Sequence, residues 1–223
     1  MIEIIYPNLC IICQKETPIH GRELCVLCLS ELPYTDHFEY NINHITQKFH
    51  GRLDIQFGAA LMSYYKGSII TDLLHRLKYE GATDIGFMLG RMTGHRLLKS
   101  DWFSTIDIIV PMPIHKQRRK TRGYNQSMEY AKGIRAITQT EIVENLVIKK
   151  VYTSSQVSKG RMARQTNVDL TFALTDKHRF SGRHILLVDD VITTGATVIA
   201  CVKCLLQIPK VRVSVVAIAL ARH

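Results

Sequence analysis

The chain has 223 residues, with 29 Lys and Arg against 19 Asp and Glu, a formal net charge of +10 and a pI near 9.4. That length, with 46% hydrophobic residues, suffices for one well-buried α/β domain and a small appendage. No apolar run reaches the roughly eighteen residues that span a bilayer, which excludes membrane insertion. The cationic excess points toward polyanions, either nucleic acid or phosphorylated small molecules.

Cys10-Ile11-Ile12-Cys13 opens the chain's first organised segment, and Cys25-Val26-Leu27-Cys28 follows after eleven residues. Two C-x-x-C knuckles make a four-thiolate tetrahedral site, most often zinc, so Cys10, Cys13, Cys25 and Cys28 are the candidate metal ligands. Pro18 and Gly21 suit the turn between the knuckles. A segment of about thirty residues has too little core to fold unaided, and a metal supplies the missing free energy. Iron in the same sulfurs satisfies the geometry too, and disulfides are the other alternative. The start Met1-Ile2-Glu3 has no basic signal-peptide region, which favours reduced thiols over disulfides. His20, His37, His44 and His50 are not needed as ligands, because four thiols complete the shell; His20 is the one to check.

Residues 1–32 thus read as a zinc ribbon, 33–52 as a polar linker, and 53–223 as the main domain. From Leu53 onward strand-like runs alternate with helical patterns. The run from Phe57 to Met62 reads as a strand, Ser68 to Tyr79 and Asp84 to Leu98 as helices, and Ile106 to Val110 as a strand stopped by Pro111-Met112-Pro113. A basic loop follows with His115, Lys116, Arg118, Arg119, Lys120 and Arg122, and Gly123-Tyr124-Asn125-Gln126-Ser127 opens another helix. The bland account of that basic run is a solvated loop. Because it leaves the C-terminal end of a predicted parallel strand, it lies where open α/β sheets bind ligands. Strands near Leu146 to Val151, Ile185 to Val188 and Val211 to Ala219 complete the sheet. Between them Ser154 to Asp169 is polar and basic, and reads as a loop that closes over a ligand to exclude water.

The most informative run is Ile185-Leu186-Leu187-Val188-Asp189-Asp190-Val191-Ile192-Thr193-Thr194-Gly195-Ala196-Thr197. A short β-branched strand leads through two carboxylates into small residues that start a helix, where unpaired N–H groups favour a phosphate. Gly195 lets the main chain approach without a Cβ, and the threonines add hydroxyl donors. Asp189 and Asp190 suit sugar hydroxyls and Mg²⁺, held directly or through water. Helix capping explains one Asp or Thr, but not Asp-Asp followed by Thr-Thr-Gly-x-Thr. On the following helix Cys201 and Cys204 share one face among apolar residues and read as small hydrophobes.

The run resembles the phosphoribosyl pyrophosphate (PRPP) loop of type I phosphoribosyltransferases. That resemblance implies a type I phosphoribosyltransferase fold, a mostly parallel sheet flanked by helices. It implies PRPP binding with Mg²⁺ through Asp189, Asp190, Thr193, Thr194, Gly195, Ala196 and Thr197, with Pro113 and Arg119 beside the pyrophosphate. Asp189, Asp190, Arg118 and Arg122 would carry the chemistry.

Pro111-Met112-Pro113, Arg122-Gly123-Tyr124-Asn125-Gln126, the segment Gln156 to Asn167, Leu77-Lys78-Tyr79 and the four-cysteine ribbon complete a pattern that resembles the ComF family, ComFC or GntX-like. The resemblance implies a role in natural transformation, handling incoming single-stranded DNA in the cytoplasm, with other competence or recombination proteins as further partners. Lys116, Arg118, Arg119, Lys120, Arg122 and Tyr124 are the candidate DNA contacts. Two functions follow: transfer of phosphoribose from PRPP to a nitrogen nucleophile, or single-stranded DNA binding with the same pocket sensing PRPP or a terminal phosphate. The nucleophile is not legible, since no base-binding hood is recognisable beyond the ribbon and linker.

Overall fold

The computed structural model describes residues 9–15, 23–150 and 171–221. Pro18, His20, Gly21 and the expected closing loop Ser154 to Asp169, with the Gln156 to Asn167 part of the family pattern, lie outside the described residues.

Five strands form the central sheet: β1 (Gly58–Tyr64), β2 (Ile108–Pro111), β3 (Glu141–Ile142), β6 (His184–Ile192) and β7 (Arg212–Ala221), in the order β1-β7-β6-β2-β3. Every pairing within it is parallel. The apolar runs alternate between two cores. Leu186, Val188, Val216 and Ile218 face one core, while Ile185, Leu187, Val213 and Val215 face the other, which is why β6 and β7 read as continuous apolar runs.

On the first face lie α3 (Ile69–Tyr79), α4 (Thr83–Leu97) and α6 (Gln126–Thr138). Helix α3 buries Ile70, Leu73, Leu74 and Leu77, the spacing of a single helical stripe. Helices α4 and α6 nearly touch at Gly90 and Gly133, where an added Cβ would fall 2.2 Å and 2.1 Å from backbone oxygens of the facing helix. On the second face lie α2 (His44–Phe49) and α7 (Ala196–Leu205). Cys201 and Cys204 are buried there as expected. The ribbon contributes α1 (Val26–Ser30), and a 3-10 turn covers Asp101–Thr105.

Three expectations need correction. The basic run is not a loop but α5 (Lys116–Arg122), capped by the His115 side chain at one end and by Gly123 at φ +83 at the other. Lys, Gln and Arg are good helix formers, and the cations of its last turn, Arg119, Lys120 and Arg122, complement the helix dipole. The run at Leu146 does not join the central sheet: β4 (Val147–Lys149) pairs antiparallel with β5 (Phe172–Leu174) in a separate ribbon. The edge strand beside β2 is instead the two-residue β3, too short to have been legible. The stretch 33–52 is no polar spacer either. Asn43 caps α2 and donates to the carbonyls of His37, Tyr40 and Gly58, and Phe38, Ile45 and Phe49 are buried.

Candidate functional site

β2 ends at Pro111, paired with Val188, and β6 runs on for four residues beyond that partner. Asp189 and Asp190 therefore lie within the strand, past the end of β2, at the carboxyl edge of the sheet where parallel α/β proteins bind ligands. The chain then turns through Thr193 and Thr194 into Gly195, which caps α7 at φ +79. An L side chain rarely adopts that dihedral, and a Cβ would sit 2.7 Å from Cε1 of Phe49 behind the loop. Gly195 offers no capping side chain; the Ala196 N–H donates to the Thr194 hydroxyl at 3.4 Å, and the next N–H groups of the first turn, which have no intrahelical acceptor, are the anion donors.

The loop opens on a cavity of about 360 Å³ whose walls include Asp189, Asp190 and Thr193 to Thr197. Pro113, Arg118 and Arg122 line the same cavity. Asp189 is 8% exposed, accepting from the Ser127 hydroxyl at 3.2 Å and the Asp190 N–H at 2.9 Å. Burial, then the neighbouring Asp190 charge, pushes its carboxyl up to about 7, against the pull of those donors and of Lys78. Asp190 is anchored at 3.0 Å to Nζ of Lys78 and at 2.7 Å to the Val191 N–H. Lys149, also in the lining, is held below its usual range, first by burial and then by Arg118.

The other expected residues lie elsewhere. Arg119 is outside the lining, bound to Glu144 at 2.9 Å, and Lys116 and Lys120 are exposed on α5. Tyr124 is half-buried with its hydroxyl donated to the Leu77 carbonyl, so the exposed aromatic at the cavity mouth is Tyr79, with the Arg122 guanidinium 5.3 Å over its ring. Sequence reasoning gave no role to Lys78, Ser127, Gln126 or Lys149, all of which line the cavity. The triplet Leu77-Lys78-Tyr79 was a signal for the first; nothing local marks Lys149.

At the other end, the sulfurs of Cys10, Cys13, Cys25 and Cys28 all lie within 4.8 Å of one another. Cys13 and Cys25 are 3.8 Å apart, the edge of a tetrahedron with metal–sulfur bonds of about 2.3 Å. The first knuckle turns through Gln14 at φ +58, whose N–H donates to the Cys10 carbonyl, and Cys25 caps α1 with its sulfur. Burial pushes the Cys10 thiol up, but N–H groups of Cys13, Cys25 and Ile12 outweigh it and bring it down to about 6. The four residues fit a closed structural zinc site. The ribbon shares the first core through Cys10, Leu24, Cys28 and Leu32, and Arg76 of α3 donates to the Ile11 carbonyl.

Among the described residues no helix is long and apolar enough to cross a membrane. No protein-family model matches the chain. It is similar to Competence protein F of Haemophilus influenzae, 24% identical over 197 residues, covering 84% of this chain and 86% of that protein. It is 28% identical over 141 residues to DNA utilization protein YhgH of Escherichia coli K12, spanning 62% of this chain and 61% of the relative. Competence protein ComFC of Bacillus subtilis is 26% identical over 152 residues, 65% of this chain and 56% of that one. The ComF resemblance read from the sequence is thus met by a parallel α/β sheet, a four-cysteine cluster and homologues named competence protein F, ComFC and YhgH.

Proposed function

We propose that this chain binds PRPP at the β6–α7 loop with Mg²⁺, and acts in competence and DNA uptake, handling single-stranded DNA in the cytoplasm. The observation that carries the PRPP reading is the cavity itself. Two carboxylates, a loop with a left-handed Gly195 that suits an anion, and the cations Arg118 and Arg122 line one space of about 360 Å³. A phosphorylated pentose with a second anionic group matches that set of charges. Asp189 and Asp190 offer hard oxygen donors suited to Mg²⁺, which when bound neutralises charge on the diphosphate. Lys78, 3.0 Å from Asp190, would share that carboxylate with the cation. The names of the relatives support the setting in DNA uptake.

Calorimetry with PRPP tests the site. Binding should require Mg²⁺ and weaken in Asp190→Asn by roughly 1.5–3 kcal/mol, the worth of a hydrogen bond to a charged group. Equal affinities in wild type and variant would remove the site from this loop. For DNA, about four phosphate contacts on the α5 face predict a slope of log affinity against log salt near −3, flattened by one to two units when Arg118 and Arg119 are neutralised. Undetectable or salt-independent binding at low ionic strength would leave α5 as a wall of the small-ligand site alone.

A second reading, phosphoribosyl transfer, is favoured by one feature: Asp189, buried and held near 7, can exchange a proton at neutral pH beside the ribose. In it, the ribose carbon loses pyrophosphate, becomes oxocarbenium-like and is attacked by a nitrogen nucleophile, with Arg118 and Arg122 taking charge from the leaving group. Consumption of PRPP in the presence of pooled amines, bases and nucleotides, followed by mass spectrometry, separates this reading from binding alone.

A further inference from the structure

Gln126 stands on the first turn of α6, between the Asn125 cap and the Ser127 that bonds Asp189. It is 2% exposed, lines the cavity, and accepts from Nη1 of Arg122 at 3.1 Å. A guanidinium only donates, so the amide atom facing Arg122 must be the oxygen, and the NH₂ end is turned away from it. That nitrogen, Nε2, is the one buried side-chain polar atom without a hydrogen-bond partner among the described residues. A buried donor left unpaired is costly, and native proteins keep few of them. Fixing Arg122 does not explain it. A glutamate would hold the arginine more strongly, by a charged pair, and would leave no donor over. What a glutamate would add is a third carboxylate in the wall that holds Asp189 and Asp190, opposed to any anionic ligand.

We propose that Gln126 is a ligand-binding residue whose amide nitrogen donates to an anionic oxygen of a diphosphate, the group held between it, Arg118 and Arg122. This rests on the reading of the β6–α7 loop as a sugar-phosphate site and divides the cavity in two. The α7 loop takes the monophosphate end, and the α5–α6 wall takes the diphosphate. Asn125 holds the donor in register with the end of β2, since its amide donates to the Met112 carbonyl at 3.1 Å while its oxygen accepts from the Ser127 N–H. Helix α6 therefore presents Gln126 to the cavity that Pro113 also lines.

The test compares two probes by calorimetry on the full chain with Mg²⁺: inorganic pyrophosphate and ribose 5-phosphate. Gln126→Met keeps the volume without a donor, and Gln126→Glu keeps the oxygen for Arg122 while replacing the donor by a charge. Both should weaken pyrophosphate by at least about tenfold, glutamate more than methionine, and leave ribose 5-phosphate within about twofold. Unchanged pyrophosphate affinity in both variants overturns the proposal. So does an equal loss for both probes, which is the mark of a merely structural residue. A wild type that binds ribose 5-phosphate but not pyrophosphate overturns the assignment of Gln126 and leaves the loop reading standing. A wild type that binds neither probe nor PRPP overturns both.

Discussion

The ribbon and the cavity assemble functional groups in opposite ways. All four thiols come from one local stretch, Cys10 to Cys28, and two short spacings decide their geometry. The cavity collects Lys78 from α3, Arg118 and Arg122 from α5, Ser127 from α6, Lys149 from β4 and the carboxylates from β6. None of these meets the others until the parallel sheet has formed. The ribbon's geometry needs coordination to hold it, whereas the cavity is a by-product of two hydrophobic cores that close on either face of β6 and β7. A local site can be read from its spacing, but a site gathered by topology shows only its longest contiguous piece.

Metal removal tests this contrast most strongly. Structural zinc in small domains contributes on the order of 10 kcal/mol, so chelation or Cys13→Ser should abolish ordered packing of the ribbon. One zinc or iron per chain by elemental analysis is the starting expectation. In hydrogen exchange the amides of the first knuckle and α1 should lose protection, while β6 and β7 keep theirs. Strand amides exchanging in step with the ribbon would show that the contacts of Arg76 with Ile11 and of Arg91 with Glu23, the latter at 3.3 Å, bind the two regions into one cooperative unit.

The same contrast explains what was legible. The parallel sheet, α3, α4 and α7 followed from period and length, because each strand buried on both faces reads as an unbroken apolar run. Asp189 to Thr197 was legible as a unit since strand, acids and loop are contiguous. Ser127 and Lys149 were not, because their roles depend on partners reached only through the fold: Asp189 lies 62 positions from Ser127. The charge of the basic run says nothing about helix against loop, whereas the cap residues His115 and Gly123 mark the helix ends. Tyr124 offers an aromatic ring beside cations in sequence, but in the fold its hydroxyl is committed to Leu77, and Tyr79 holds the exposed position. Nothing in the sequence singles out Gln126 within its motif, because its unpaired nitrogen exists only once Arg122 has taken its oxygen.

Two glycines at left-handed dihedrals sharpen the comparison inside the main domain. Gly195→Val must adopt φ +79 and displace the Phe49 ring 2.7 Å away. The dihedral costs about 1–2 kcal/mol and the overpacking about 1–3 kcal/mol, so a loss of roughly 2–5 kcal/mol is expected. PRPP affinity should fall with it, as the backbone moves off the phosphate. Gly123→Ala has nothing within 4 Å of the added Cβ and should lose only about 1–2 kcal/mol from the dihedral. Denaturant midpoints of the two variants measure the difference. Equal losses would mean that Phe49 yields freely and that the back of the loop is soft.

An effect of the opposite sign lies on β6 itself, which carries two buried titratable groups. His184, at its start, is fully buried between Thr105 and Ser214, and burial, then Arg212, lowers its imidazole to about 4. Between about 6.5 and 4 the unfolded chain binds that proton and the folded one does not, so stability falls as pH drops through the window. Asp189 runs the other way. Its folded carboxyl keeps a proton up to about 7 while the unfolded one releases it near 3.8, so stability falls as pH rises between them. Asp189→Asn removes that liability and keeps an oxygen for Ser127 and the Asp190 N–H. At pH 7.5 the variant should be more stable than wild type by roughly 1–3 kcal/mol, the shift being shared with Asp190 and Lys78. The gain should vanish near pH 3.5, and the His184 contribution cancels because both proteins contain it. PRPP binding should weaken at the same time, since an amide cannot replace the acceptor charge. Paired denaturation curves at the two pH values, with calorimetry at the higher one, decide the matter. A variant that is less stable at pH 7.5, or one whose gain ignores pH, would show that the buried carboxylate is structural rather than held against the fold's own stability for a ligand.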